Sequence, residues 1–247
     1  MSTNIAVAGG TGLVGAMVVE EVRRAGATPV VIARSRGIDL TTGAGLAEAL
    51  GGVDAVIDAS NVDTLRAKRS VAFFEAATGR LLAAGVAAGV RHHVALSIVG
   101  CDRVDLPYYL GKRRQEELVV TGPVPWSVLR ATQFHEFAGQ LVERSPRPFA
   151  MALRMRTQPV AAREVAAALV TAALGEPGGR LPDLGGPRPE DLGRMVRATV
   201  RARGSRRIVV PVPMAGRAGR QVTEGGLLPG AGATLGQVTF DDWLAGV

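Results

Sequence analysis

A single cysteine, Cys101, rules out an internal disulfide and leaves no thiolate pair for a metal site. Aromatic residues make up only 4% of the chain, and its two tyrosines stand side by side as Tyr108 and Tyr109. The net charge of +7 comes without aromatic interleaving. Its arginines are scattered as singles and pairs, such as Arg23/Arg24, Arg113/Arg114 and Arg206/Arg207. A nucleic-acid surface needs a basic stripe, so no nucleic-acid partner is expected. No run of 18 apolar residues offers a transmembrane helix, and no basic leader precedes the first strand-like segment. A cytoplasmic protein with no membrane partner is expected. Asp102, Asp105 and the pair Asp241/Asp242 show no metal-ligand spacing, and no metal is expected; the pair reads as a helix N-terminal cap. Lysine is nearly absent too. Of 29 basic residues only Lys68 and Lys112 are lysines. Where charge alone matters this sequence uses arginine, so a lysine marks a position that needs an ammonium.

What is present is an alternation of apolar runs and helical patterns in 247 residues, 47% of them hydrophobic. Strand-like runs stand at 5–8, 29–33, 38–40, 55–58, 93–97 and 126–130. Helical patterns lie between and after them, at 13–25, 46–50, 65–88, 108–120, 134–144 and 164–174. That alternation implies an α/β fold with a doubly wound parallel sheet of Rossmann type. From about Pro146 it fades into Gly/Pro-rich loops, with helices expected at 189–203 and 240–244 and a strand at 208–212. A single domain over 1–247 is expected, with a dinucleotide-binding core over 1–145 and a small substrate-capping region over 146–247.

The run Gly9-Gly10-Thr11-Gly12-Leu13-Val14-Gly15 has the spacing G-x-x-G-x-x-G between a buried strand and an amphipathic helix. Gly9 allows a sharp turn, Gly12 allows backbone to approach a pyrophosphate, and Gly15 lets the helix pack on the sheet. The helix N-terminus adds free N–H groups and partial positive charge. No Lys-Ser/Thr ending follows, which excludes a nucleoside-triphosphate loop. An acidic residue after the second strand would hold a ribose 2′-OH; Arg34-Ser35-Arg36 stands there instead. Guanidinium groups bind a 2′-phosphate, so NADP(H) is expected in preference to NAD(H). Asp39 would lie along the adenine, and Ala59, Ser60 and Asn61 would line the cleft after the 55–58 strand.

Tyr108 and Lys112 are four residues apart on a helical pattern, and Ser97 closes the strand before them. Reducing a carbonyl needs a proton for the developing alkoxide. A phenol serves at neutral pH only with a cation beside it, and a serine can hold the substrate oxygen. Lys112 would also reach the nicotinamide ribose. His135 follows the sixth strand, where it could donate to a substrate. His92 and His93 open the fifth strand, at the end of the sheet away from chemistry.

With the glycine loop, Ser97 and the Tyr108/Lys112 pair, the chain resembles the short-chain dehydrogenase/reductase superfamily, closest to its atypical, NmrA-like and epimerase-like branch. The resemblance covers roughly residues 4–175. It includes Leu129-Arg-Ala-Thr-Gln-Phe-His-Glu-Phe137, and Pro159-Val160 before a helix from Arg163. It implies a cofactor contact at Thr132 and a substrate side at Gln133, Phe134 and His135. It also implies an NADPH-dependent oxidoreductase acting on a small organic molecule. Separately, the paired long helices expected to flank the sheet offer a surface for a homodimer. A sugar-nucleotide epimerase or dehydratase and a non-catalytic NADP sensor are the alternatives. The serine stands closer to the tyrosine, at 11 residues, than is usual in the superfamily, and some members of this branch lack a working triad.

Overall fold

The computed structural model describes residues 2–246. The chain divides into two compact units that interleave along the sequence, and no cut falls near residue 145. One comprises the chain up to Ser97 with Leu106–Arg130 and Arg163–Leu181; the other comprises Ile98–Asp105, Ala131–Ala162 and the chain from Pro182.

In the first unit β1 (Asn4–Ala8) turns through the glycines into α1 (Leu13–Arg24), and β2 (Thr28–Ile32) runs into a 3-10 turn, Arg34–Arg36. α2 (Leu46–Ala49) precedes β3 (Ala55–Asp58); then come α3 (Ala67–Ala88), β4 (His92–Ile98), α4 (Pro107–Thr121) and β5 (Trp126–Ala131). The strand order is β2-β1-β3-β4-β5; β1 pairs with β2 and β3, β3 with β4, and β5 with Gly179–Arg180, all in parallel. Residues Ile5 to Ala8 have no exposed surface, as an apolar run without alternation requires in a sheet covered on both faces. Ala6 pairs with Val30 on one side and Val56 on the other. The order therefore reverses at β1, which opens a crevice beyond the carboxyl ends of β1 and β3.

The strand expected at 38–40 does not form. Asp39 Oδ1 accepts from the N–H and the hydroxyl of Thr41, both at 2.7 Å, and its own N–H donates to Ala44 O. This local turn takes the backbone groups a ladder would need. One face of the sheet carries a core of Ile32, Leu46, Leu50, Val56, Leu81 and Val119. α3 is long and apolar enough to cross a bilayer. Here it packs against α4 so closely that a Cβ on Gly111 would stand 2.1 Å from Ser70 Oγ and 2.7 Å from the Phe74 ring.

α4 is tied to β5 by charge. Glu116 receives Arg130 at 2.8 and 2.7 Å, Arg180 at 2.6 Å, and the Ser97 hydroxyl at 2.5 Å. Burial pushes its carboxyl up, but the bonds from Arg130, Ser97 and Arg180 outweigh that and bring the pKa down to about 2.

After β5 the chain passes through α5 (Glu136–Arg144) and β6 (Phe149–Leu153) to α6 (Ala162–Leu174), which lies almost wholly in the first unit. The second unit continues with α7 (Leu192–Ala202), β7 (Ile208–Val212), α8 (Gly216–Thr223) and α9 (Phe240–Ala245). α7 buries Leu192, Met195, Val196, Thr199 and Val200, one stripe at helical spacing, and Asp191 caps it by accepting from Arg194 N. β6 and β7 form a parallel pair. β6 was not anticipated because its alternation is one of size: Ala150 and Ala152 point in, Phe149 and Met151 out. α8 was missed because glycine and arginine fill half of its eight residues. The cap of α9 is Thr239, whose Oγ1 accepts from Asp242 N, rather than the Asp241/Asp242 pair. Asp241 is taken by Arg188 and Arg194 at 2.7 and 3.0 Å.

Two expectations follow. Gly111→Ala forces α3 and α4 apart and should cost about 2 kcal/mol, lowering the thermal midpoint by roughly 4–8 °C in calorimetry. Glu116 has a folded pKa below its unfolded value, so its contribution is full above the ordinary glutamate value of 4.5 and is lost as pH falls through about 2. That is about 3 kcal/mol at pH 7. Urea unfolding of Glu116→Gln should show that loss at pH 7 and a flatter decline between pH 5 and 2 than wild type.

Candidate functional site

The turn after β1 has no room for side chains. Gly9 has φ +74°, and a Cβ there would stand 2.8 Å from Ala59 O; a Cβ on Gly15 would stand 2.1 Å from Gly9 O. The two glycines thus bring the start of α1 onto the end of β1 and β1 onto the segment after β3. Gly12 caps α1 without a side-chain bond, and no acidic residue stands in the first turn. Thr11, Gly12 and Leu13 are exposed, while Gly10, Val14 and Gly15 are buried. The result is a backbone cradle with first-turn N–H groups that no side chain caps, which suits an anionic group.

Around it the first unit gathers several of the expected residues. Arg34, Ser35 and Arg36 are exposed on the 3-10 turn beyond β2. Among the described residues neither arginine makes a salt bridge, although Arg34 helps hold the Asp39 carboxyl low, after the larger effect of its Thr41 bonds. Ala59 backs Gly9. Ser60 is 3% exposed, with its N–H on Asp58 and its hydroxyl without a partner. Such an orphaned hydroxyl beside the glycine turn, together with the side-chain-free cradle, fits a dinucleotide. Asn61 is exposed and its Oδ1 accepts from the Tyr108 hydroxyl at 2.8 Å.

Tyr108 is half-buried, whereas Tyr109 is buried. The Tyr108 ring meets Phe74 edge-on at 6.0 Å, and Lys112 Nζ lies 4.5 Å from the centroid of the same ring. Lys112 is 4% exposed and donates to Leu96 O and Gln115 Oε1, each at 2.9 Å. Ser97, on the residue after Leu96, donates its hydroxyl to Glu116. The three candidates therefore sit in one unit, each with a hydrogen bond to the protein.

Sequence reasoning missed the residues that hold them. Glu116 lies four positions beyond Lys112, and Tyr108, Lys112 and Glu116 repeat at helical spacing, so that signal was available. Asp58, fully buried at the end of an apolar strand, and Gln115 had no comparable signal.

In the second unit Thr132 is buried and donates to Gln158 O at 2.5 Å, and Gln133 accepts from Thr157. Phe134 bridges to Val160. His135 is 0% exposed, 3.0 Å from Val238 O and against the rings of Phe240 and Trp243. Its side chain is part of the packing of α9.

No protein-family model matches the chain. It is 32% identical over 144 residues to the (4-alkanoyl-5-oxo-2,5-dihydrofuran-3-yl)methyl phosphate reductase of Streptomyces griseus, a match covering 53% of this chain. It spans about half, 48%, of that relative. Among solved structures it is similar to a short-chain dehydrogenase/reductase superfamily protein of Agrobacterium tumefaciens with bound NAD (TM-score 0.69, 21% identity, 98% of this chain and 95% of that one). It is likewise similar to an NADPH-dependent quinone oxidoreductase of Escherichia coli complexed with NADPH (0.71, 17%, 98% and 99%). A UDP-N-acetylglucosamine 4-epimerase of Bacillus cereus gives 0.70 at 18%, over 98% and 95%. The chain shares its fold with these structures, one of them a short-chain dehydrogenase/reductase superfamily protein.

Proposed function

We propose that the protein is a nicotinamide-dependent oxidoreductase that reduces a carbonyl, or oxidises an alcohol, on a small organic molecule. The observation that carries this reading is the glycine cradle at the reversal of strand order, with uncapped helix N–H groups and an orphaned Ser60 hydroxyl beside it. The S. griseus relative is a reductase, and the E. coli and A. tumefaciens proteins hold NADPH and NAD. Preference for NADP(H) is supported by Arg34 and Arg36, exposed and unbridged where an acidic residue would repel a 2′-phosphate.

The bound nicotinamide would supply or accept the hydride. In this reading Tyr108 gives the proton to the carbonyl oxygen, and the half-buried phenol is held in place by Asn61. Lys112, on the same aromatic ring, lowers the cost of the phenolate that remains. The Ser97 hydroxyl proton points at Glu116, a carboxylate that stays ionised at neutral pH. Ser97 thus offers a substrate its lone pairs, and it becomes a donor only by turning away from Glu116.

Titration by nicotinamide fluorescence should show NADPH binding that weakens about tenfold in Arg34→Ala, with NADH binding unchanged. Binding of neither nucleotide would remove the reading altogether. With a panel of small ketones, aldehydes and quinones, Tyr108→Phe should lower NADPH oxidation by at least about a hundredfold. NADPH affinity should stay the same in that variant; turnover retained by Tyr108→Phe would exclude the phenol as proton donor.

A further inference from the structure

The second unit carries a basin of its own, at the carboxyl ends of the parallel pair β6 and β7. Strand ends of this kind are where open α/β sheets take their ligands. Its volume is about 560 Å³, and its charged lining is Arg154, Arg156 and Arg197 with Asp191 as the one carboxylate. Small-molecule sites have volumes of roughly 300–1,000 Å³.

The arginines stand on backbone that is tied down. Arg154 N donates to Val212 O at 2.9 Å, and Leu192 N donates to Met155 O at 3.2 Å. The segment is thereby joined to the end of β7 and to the start of α7. Met155 is buried between exposed Arg154 and Arg156, an extended alternation that sends both arginine side chains to one side. Arg156 stands opposite Asp191, the N-cap of α7, in antiparallel register. From α7, Arg197 reaches back over Gly193, where a Cβ would stand 3.4 Å from Arg197 Nη1. The bare position at 193 leaves the guanidinium its space over the first turn.

One carboxylate does not balance this charge. Asp191 Oδ1 accepts from Arg194 N at 2.7 Å and lies 3.8 Å from Arg197 Nη2, a long contact between exposed groups. Arg154 and Arg156 make no salt bridge or side-chain hydrogen bond among the described residues. Three guanidinium groups against one carboxylate leave two positive charges in the basin. Met155, Pro211, Pro213 and Met214 give the same basin an apolar lining. A dianion carried on a compact apolar group matches both features. Guanidinium groups bind phosphate oxygens in pairs, whereas a single carboxylate would leave one charge unmatched.

We propose that the second unit holds a binding site for the phosphate monoester of a small organic molecule. Arg154, Arg156 and Arg197 take the phosphate, and Met155, Pro211 and Met214 take the organic part. The site stands independently of the cofactor reading, because none of its residues belongs to the glycine cradle or to the Tyr108/Lys112 pair.

Phenyl phosphate, inorganic phosphate and phenol serve as probes, titrated into full-length protein labelled at the methionine 13Cε methyl groups. Of the six methionines, Met155 and Met214 line the basin, and Met17 of α1 reports on the cradle. Phenyl phosphate should shift Met155 and Met214 saturably and leave Met17 in place. It should bind about tenfold more tightly than inorganic phosphate, and phenol should move none of the three. Arg156→Ala and Arg197→Ala should each weaken phenyl phosphate about tenfold, with Arg34→Ala unchanged. Both basin arginines are exposed, and far-UV circular dichroism establishes that the variants are folded. Unmoved Met155 and Met214 signals would overturn the site, as would an affinity that survives Arg154→Ala combined with Arg156→Ala. Inorganic phosphate binding as tightly as phenyl phosphate would overturn the assignment to an ester. Loss of phenyl phosphate binding in Arg34→Ala would overturn the location, placing the anion at the cradle instead.

Discussion

The contact between Gly15 and Gly9, too close to admit a Cβ on Gly15, sets the geometry of the first unit. It seats the N-terminus of α1 over the end of β1, and Gly9 in turn presses on Ala59 at the end of β3. Because β1 is where the strand order reverses, this contact is made at the crevice that the sheet opens. The uncapped N–H groups of α1, the exposed arginines beyond β2 and the buried end of β3 take their places from that turn. A side chain at either glycine would separate backbone segments that have no slack to yield.

Charge in the first unit is organised in two buried systems on α4. Glu116 faces β5 and is matched directly by Arg130 and Arg180, the arrangement in which a buried carboxylate is least costly. Lys112 and Gln115 face β4 and β3, where the carboxylate of Asp58 is one amide away. The adjacent residues 115 and 116 thus belong to different systems: Glu116 joins helix to sheet, and Gln115 bonds Lys112 and Asp58. Ser97 belongs to the first system and Leu96 O to the second, so neighbouring positions of β4 report to different charges.

The candidate site is legible in the sequence where its signals are local. The glycine spacing lies in seven consecutive residues, and the Tyr108/Lys112 pair lies within one helical turn. The rarity of lysine in an arginine-rich chain made Lys112 conspicuous. The partners of these groups were not legible: Asp58 and Gln115 are 57 residues apart, and nothing in either neighbourhood points to the other. The turn at 38–40 was misread because Ile-Asp-Leu has strand-like composition while the Asp39 side chain serves a local turn. Nor was the contact of His135 with Val238, about a hundred positions later, legible from its place after a strand.

By itself the sequence determined the parallel α/β architecture, through apolar runs that need cover on both faces and helices that supply it. It also determined the glycine turn, where residue type and backbone geometry are the same constraint. Only the tertiary structure decided how the chain divides, because α6 lies with the first unit after the chain has entered the second. Only the tertiary structure decided which buried charges meet, since pairing in the interior depends on atoms brought together by the sheet rather than on spacing along the chain. The environments of Lys112 and Ser97 are therefore properties of the fold, although their identities were evident from the sequence.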